Sequence, residues 1–461
     1  MKSFIRRLWP TNRGTMRKAK VTPRSRLGFE HLEVRDVPAS ISFSNGIITI
    51  HGDAANNVAL VSQAGTHIHA KIDNVQASYN AASVNKIRFY GGTGNDKFTN
   101  DTAIPCKAYA GTGNDSLIGG GGHDALYGGP GNDTLVAING KGSDQLYAGT
   151  GTDTFWYDTG DTVHGAVAGD HLHCVSGFMS YRIPNGQGGY VTLPVGAQLN
   201  SGNLAVPVVS TSGDYPWNYS NYPLFGPNGP QPTDIHEGGV GDCYFLAKLA
   251  AMAKANPDSV RQLVTELGDG TYAVNFHNAN GKDVFVRVGG DLWSSGAPFN
   301  PTPLYAQLGN GGALWVPIVE KAYAFFKNDQ GTYASINGGG SPGVDPVVAL
   351  GYKEVIHSWL AFKKPTDAAN GIDYLNAINA DLAAGKAVTI GGPAGWSSNS
   401  DVNNPANFHR GQHIFMVDSV LTDWFGNPTG IKLYDLYGNY RTIMGPGLVF
   451  HCSGGFASFK V

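Results

Sequence analysis

Only four cysteines occur in the 461 residues, Cys106, Cys174, Cys243 and Cys452, and no two of them are spaced as C-x-x-C. That excludes a zinc ribbon and a dense disulfide framework, and leaves a single pairing open. No apolar run reaches the roughly eighteen residues that a membrane-spanning helix needs. The start, MKSFIRRLWPTNRGTMRKAK, lacks the apolar centre of an ordinary secretory signal. Charge is sparse at 15% of residues, and basic charge is sparsest where a fold would use it. Residues 1–40 hold ten of the 32 Lys/Arg and three of the 35 Asp/Glu, so the rest is acidic, with 22 basic against 32 acidic residues. An acidic body excludes the clustered cationic face that nucleic acid requires. What the chain has in excess is glycine, 64 residues of it.

The basic arm, residues 1–40, reads as targeting sequence or disordered tail rather than core. Within it RLGFEHLEVRDVPAS resembles, at Leu32, Glu33, Arg35, Pro38 and Ala39, an L-E-x-R-x-x-P-A leader found ahead of β-rich exported proteins of some bacteria. An extracellular or cell-surface location is what that resemblance implies, with a cytoplasmic one left open. Residues 41–90 alternate in strand fashion (ISFSNGIITIHG, NVALVSQAG, HIHAKID, NKIRFYGG) between Asn-Gly and Ala-Gly turns. They read as a β-rich cap on the glycine-rich stretch that begins at residue 91.

In that stretch the glycines gather into repeats: GGTGNDKF, GTGNDSLI, GGGGHDAL, GGPGNDTL, GKGSDQLY and AGTGTDTF. Their aspartates, Asp96, Asp115, Asp124, Asp133, Asp144 and Asp153, step by nine residues, apart from one step of nineteen and one of eleven. Two residues after each stands Phe98, Leu117, Leu126, Leu135, Leu146 or Phe155. A flexible linker has no reason to keep an apolar residue at that offset. The pattern resembles the G-G-x-G-x-D-x-U-x repeat of RTX proteins. That resemblance implies a parallel β-roll over 91–160, with the U residues inside and Ca²⁺ held by the six aspartates and neighbouring carbonyls, hard oxygen ligands suited to it. Residues 161–222, rich in Gly, Pro, Ser and Asn, read as a linker or the end of the roll.

Helical patterns begin only near residue 240, interleaved with strands, so residues 223–461 read as an α+β domain. Its chemistry centres on EGGVGDCYFLA, residues 237–247. Cys243 opens an apolar helix after a Gly-rich loop, with Asp242 expected as the cap. There the helix amides should pull a thiol below its ordinary pKa of about 8.5. A lone cysteine beside Tyr-Phe-Leu-Ala is more often a small buried hydrophobe, but this segment resembles the active-site cysteine of the calpain family. ALWVPIVEKAYAFFKNDQGTYASINGGGSP, residues 313–342, extends the likeness through Trp315, Glu320, Lys321, Ala322, Tyr323, Tyr333 and Gly338.

The resemblance implies a papain-like catalytic domain. It makes Cys243 the nucleophile and His413, in GQHIFMV, its base, with His409 as local competitor. Asp435 falls where the family carries an orienting Asn, with Asn439 as the alternative, and Tyr437 where it carries a shielding Trp. Glu237 occupies the position of the oxyanion-binding glutamine, a departure, because an ionised carboxylate cannot donate. A protonated Glu237, another donor beside the Cys243 amide, or a degenerate enzyme are the three readings. The expected function is calcium-dependent endopeptidase action on protein or peptide substrates through a Cys-His-Asp triad. The alternative is a calcium-binding surface or adhesive module with a vestigial catalytic fold.

Overall fold

The computed structural model describes residues 38–140, 143–179, 214–297, 300–328, 345–358, 367–392, 413–446 and 455–461, with a few short pieces between. The basic arm before Pro38, His409 and Cys452 lie outside the described residues.

The glycine-rich repeats wind into a parallel coil, because each nonapeptide is too short to bury anything alone and stacks on its neighbours instead. Successive repeats alternate between two sheets. Lys86–Thr93, Cys106–Thr112, Ala125–Tyr127, Gln145–Tyr147 and Thr162–His164 line one side, and Lys97–Asp101, Ser116–Ile118, Thr134–Ala137, Thr154–Asp158 and His171–Val175 the other. All pairings between these strands are parallel. The register sets Phe98, Leu117, Leu135 and Phe155 in one column, and Ala108, Leu126 and Leu146 in the facing one. All seven have no exposed surface. The turns are glycine for a steric reason: Gly113 has φ 138°, and a Cβ there would meet the Gly94 carbonyl oxygen at 1.8 Å. At the N-terminal edge antiparallel strands, Ser40–Ser44 on one sheet and His67–Ile72 with Val75–Asn80 on the other, end the ladder.

Parallel pairing continues past residue 160 to Val175, so Thr162–His164 and His171–Val175 belong to the coil and not to a linker. The outer face of the sheet that holds Ser116–Ile118, Thr134–Ala137, Thr154–Asp158 and His171–Val175 packs against the second half of the chain. Ile118, Val136, Trp156, Val175 and Phe178 share a buried cluster with Leu267, Ala273 and Phe285. Lys97 pairs with Glu266 across the same boundary.

The second half is a mixed α/β structure. The helix Cys243–Ala255 has nine buried residues and packs against the helix Trp315–Asn328 and the hairpin Thr271–His277 with Asp283–Gly289. Beyond it lies an antiparallel six-stranded sheet in the order Val355–Ser358, Gly455–Lys460, Lys386–Gly392, His413–Thr422, Pro428–Tyr434 and Tyr440–Met444. The helix Asp367–Ala383 packs on that sheet through Tyr374, Leu375 and Ile378. The core around the Cys243 helix takes in Ala387, Met416 and Tyr434 from the sheet, which brings the helix start and the strand start at His413 together.

Candidate active site

Several residues of the 313–342 segment act as architecture. Trp315 donates its indole N–H to Asp234 at 2.8 Å, Tyr323 stacks on Phe245 at 3.8 Å, and Tyr333 stacks on Tyr305 at 3.6 Å. Lys321, fully buried, donates to the carbonyls of Gly289 and Asp291 at 3.0 and 2.6 Å, tying the helix to the bend after the hairpin. The Gly-rich loop is pinned in turn: the Gly239 amide donates to the Leu304 carbonyl at 2.7 Å. A Cβ on Gly238 would meet the Tyr305 carbonyl oxygen at 1.9 Å, so only glycine lets the loop approach this closely.

With the loop fixed, Cys243 Sγ, a ring nitrogen of His413 and a carboxylate oxygen of Glu237 lie within 4.8 Å of one another. The nearest approach between His413 Nε2 and Glu237 Oε2 is 3.9 Å. Both of these atoms are buried and lack a hydrogen-bond partner. Glu237 is favoured in its ionised form by the Cys243 amide and the Tyr437 hydroxyl, but burial outweighs both and pushes its carboxyl up to about 7. Burial also pushes the Cys243 thiol up, to about 12, with the Glu237 and Asp242 carboxylates adding to the rise. The thiol therefore does not sit below its ordinary range as its helix position predicts; burial, with two acidic neighbours adding to it, opposes the helix end. His413 is held below its usual value by burial, against support from Asp435.

Asp435 is brought beside His413, though not as expected of an orienting carboxylate. Its backbone carbonyl supports the imidazole. Its carboxylate accepts instead from the Tyr437 and Asn439 amides at 3.1 and 2.9 Å and from Arg441 Nε at 2.7 Å. Tyr437 stacks on His413, ring centroids 5.7 Å apart and planes 10° off parallel, so it covers the imidazole. Leu436, buried with φ 60°, is held in a strained conformation whose carbonyl accepts the Glu237 amide at 2.7 Å. The loop after the strand is thus fastened directly to the loop before Cys243.

Asp242 makes no side-chain cap bond to its helix. It is fully buried and faces Glu320, and like charges at that range cannot both ionise. Burial raises both carboxyls, Glu320 to about 8, and the like charge of Glu320 adds to the rise of Asp242. Sequence reasoning placed Asp242 and Glu320 in separate motifs and missed their meeting. Nothing in the spacing marks it, because 78 residues separate them. Among the described residues Cys106, Cys174 and Cys243 are free thiols.

The six repeat aspartates stand in two columns. Each backbone N–H of Asp96, Asp115, Asp133 and Asp153 donates to Oδ1 of the aspartate one turn on, Asp115, Asp133, Asp153 and Asp170, at 2.6–2.9 Å. Asp124 and Asp144 do likewise with Asp144 and Asp161 at 2.7 and 2.9 Å. Asp161 and Asp170 were not legible as members, because their turns keep glycines (Gly160, Gly165 and Gly169) without the G-G-x-G spacing of the repeats. The surviving signal is the apolar residue two places on, Val163 and Leu172. Oδ2 of Asp96, Asp115, Asp124 and Asp133 is buried with no hydrogen-bond partner. In Asp144 and Asp153 the second oxygen is taken, by Asn139 and by the Gly149 amide. Burial pushes Asp124 and Asp133 up to about 7. Orphaned acidic oxygens in register fit a hard divalent cation held between turns, whose charge would keep the carboxylates ionised.

Residues 107–135 and 140–163 match the family model described as the RTX calcium-binding nonapeptide repeat (4 copies). Residues 212–366 match that of the calpain family cysteine protease, a span that includes Glu237 and Cys243 and ends before His413 and Asp435. No curated protein matches the chain. The roll binds Ca²⁺, and behind its RTX calcium-binding repeats residues 212–366 form a calpain-family cysteine protease domain.

Proposed function

We propose that the chain is a calcium-dependent endopeptidase in which Cys243 is the nucleophile and His413 the base. The observation that carries this reading is the convergence of Sγ, the imidazole and Glu237 at the junction of helix and sheet. His413 accepts the thiol proton as Sγ attacks a peptide carbonyl, and returns it to the leaving amine as the C–N bond breaks. Water, deprotonated by the same imidazole, then hydrolyses the thioester. The Asp435 carbonyl orients His413 through the ring edge opposite Nε2, and Arg441 holds Asp435 in place. Asp435 is in this account a positioning residue.

Glu237 acts as an oxyanion donor only when protonated, and its rise to about 7 permits that at mildly acidic pH. Protonation also removes one of the charges that oppose the thiolate. Proteolysis is therefore expected below neutrality, on protein substrates. A second reading, a peptide-binding module that does not cut, is favoured by the same carboxylate, which draws on the Cys243 amide that an oxyanion would need. Hydrolysis of an unfolded protein at pH 5–6 with calcium, abolished in Cys243→Ala, supports the enzyme. Tight peptide binding without cleavage in both proteins supports the module.

The RTX repeats are in keeping with export, and we place the protein outside the cell or on its surface. No helix among the described residues is long and apolar enough to cross a membrane.

A further inference from the structure

We propose that Glu237, Cys243 and His413 form a zinc site, so that Zn²⁺ reversibly closes the protease by ligating its thiol. The three donors, a carboxylate, a thiol and an imidazole, are the ordinary ligand types of zinc. They converge within 4.8 Å. Tetrahedral zinc with bonds of 2.0–2.3 Å sets its ligand atoms roughly 3.3–3.8 Å apart, so a movement of less than about 1 Å closes the set.

The site is independently marked. Glu237 and His413 are only 7% and 6% exposed, and their facing atoms, Oε2 and Nε2, have no hydrogen-bond partner. Buried polar atoms without partners call for an explanation. A metal between them provides one, and a glutamine at 237 would not supply the anionic ligand. The surroundings hold the ligands as outer-shell groups hold metal ligands elsewhere: the Asp435 carbonyl supports the imidazole and the Tyr437 hydroxyl favours the ionised Glu237 carboxylate. The fourth position is left for water or substrate. Thiolate and imidazole also separate this site from the calcium roll, since neither is a ligand that calcium takes up.

Binding replaces the Sγ–H bond by Sγ–Zn and releases the thiol proton to solvent, together with the Glu237 proton where that group carries one. Nothing is oxidised or reduced. Zinc draws on the charge of the bound thiolate and occupies the His413 nitrogen that would take and return its proton, so hydrolysis stops. Metal binding itself needs only the three side chains. Its consequence, inhibition, rests on the proposed roles of Cys243 and His413.

The test uses full-length protein saturated with calcium, with Co²⁺ as the spectroscopic stand-in for zinc. One equivalent of Co²⁺ should give a sulfur-to-cobalt charge-transfer band in the near ultraviolet, bleached by one equivalent of Zn²⁺. Cys243→Ser should lose the band and Cys174→Ser keep it. The isosteric Glu237→Gln should weaken binding by roughly tenfold or more. In parallel, labelling of Cys243 by an epoxide inhibitor should fall in proportion to zinc occupancy. A missing band, a band that survives Cys243→Ser, or equal affinity in Glu237→Gln overturns the zinc site. A Cys243-dependent band in a protein that never labels would leave the site standing and remove the protease reading. Labelling without a band would do the reverse.

Discussion

Replacing Glu237 by glutamine exchanges one buried carboxylate oxygen for an amide that donates at every pH. With the Glu237 carboxyl near 7, the donor form of the wild-type protein dominates below neutrality and is lost as pH rises through that value. Near pH 8 about one molecule in ten keeps the proton, and near pH 9 about one in a hundred. An oxyanion donor is worth about 10²–10³ in turnover, so activity should track that fraction until the donor's whole contribution is gone. Glu237→Gln should therefore match the wild type near pH 5, exceed it about tenfold near pH 8, and show no titration near 7. The assay is kcat/KM for a quenched fluorescent peptide across pH 5–9, with calcium in excess and zinc removed by a selective chelator. Superposed profiles, or a variant weaker at every pH, would refute the argument and take Glu237 out of the oxyanion site.

Tyr437→Phe keeps the ring over His413 but removes a hydroxyl that favours ionised Glu237. A hydrogen bond to a charged group is worth about 1.5–3 kcal/mol, so the alkaline limb of the same profile should move up by about one pH unit or more. Trp156→Ala empties a fully buried position between roll and protease domain; by calorimetry it should cost about 3–5 kcal/mol and separate the unfolding of the two halves. Asp133→Asn keeps the Oδ1 acceptor for the Asp115 amide and removes the charge of the orphaned oxygen. It should raise the calcium midpoint of the circular dichroism change by roughly tenfold while the calcium-loaded spectrum stays unchanged. An unaltered midpoint would remove Asp133 from the ligand set.

The roll was open to sequence reading because its physics is local and periodic. An apolar residue two places after each aspartate dictates the interior column, and all six such residues are completely buried. The same reasoning stopped short at residue 160, where the turns before Asp161 and Asp170 no longer keep the G-G-x-G spacing while the aspartate hydrogen bonds continue the ladder. In the second half, the start of the Cys243 helix and the strand start at His413 were legible from loop glycines and apolar runs. Charge relations were not. The Asp242–Glu320 pair, the Arg441 contact to Asp435 and the influence of Tyr437 on Glu237 join residues whose meeting depends on tertiary packing. For that reason the expected thiol activation at the helix start ran ahead of the environment, in which burial first, and then the carboxylates at 237 and 242, push the other way. Whether the helix end or burial beside two acids wins is decided by packing that no spacing in the sequence encodes.

The most direct measurement treats the calcium-loaded protein with an epoxide thiol-protease inhibitor across pH 4–8 and locates the adduct by mass spectrometry. The account predicts selective labelling of Cys243, strongest on the acidic side of neutrality and lost in His413→Ala. No adduct, or one spread without preference over Cys106, Cys174 and Cys243, would contradict it and leave a calcium-bound module whose thiol is not a nucleophile.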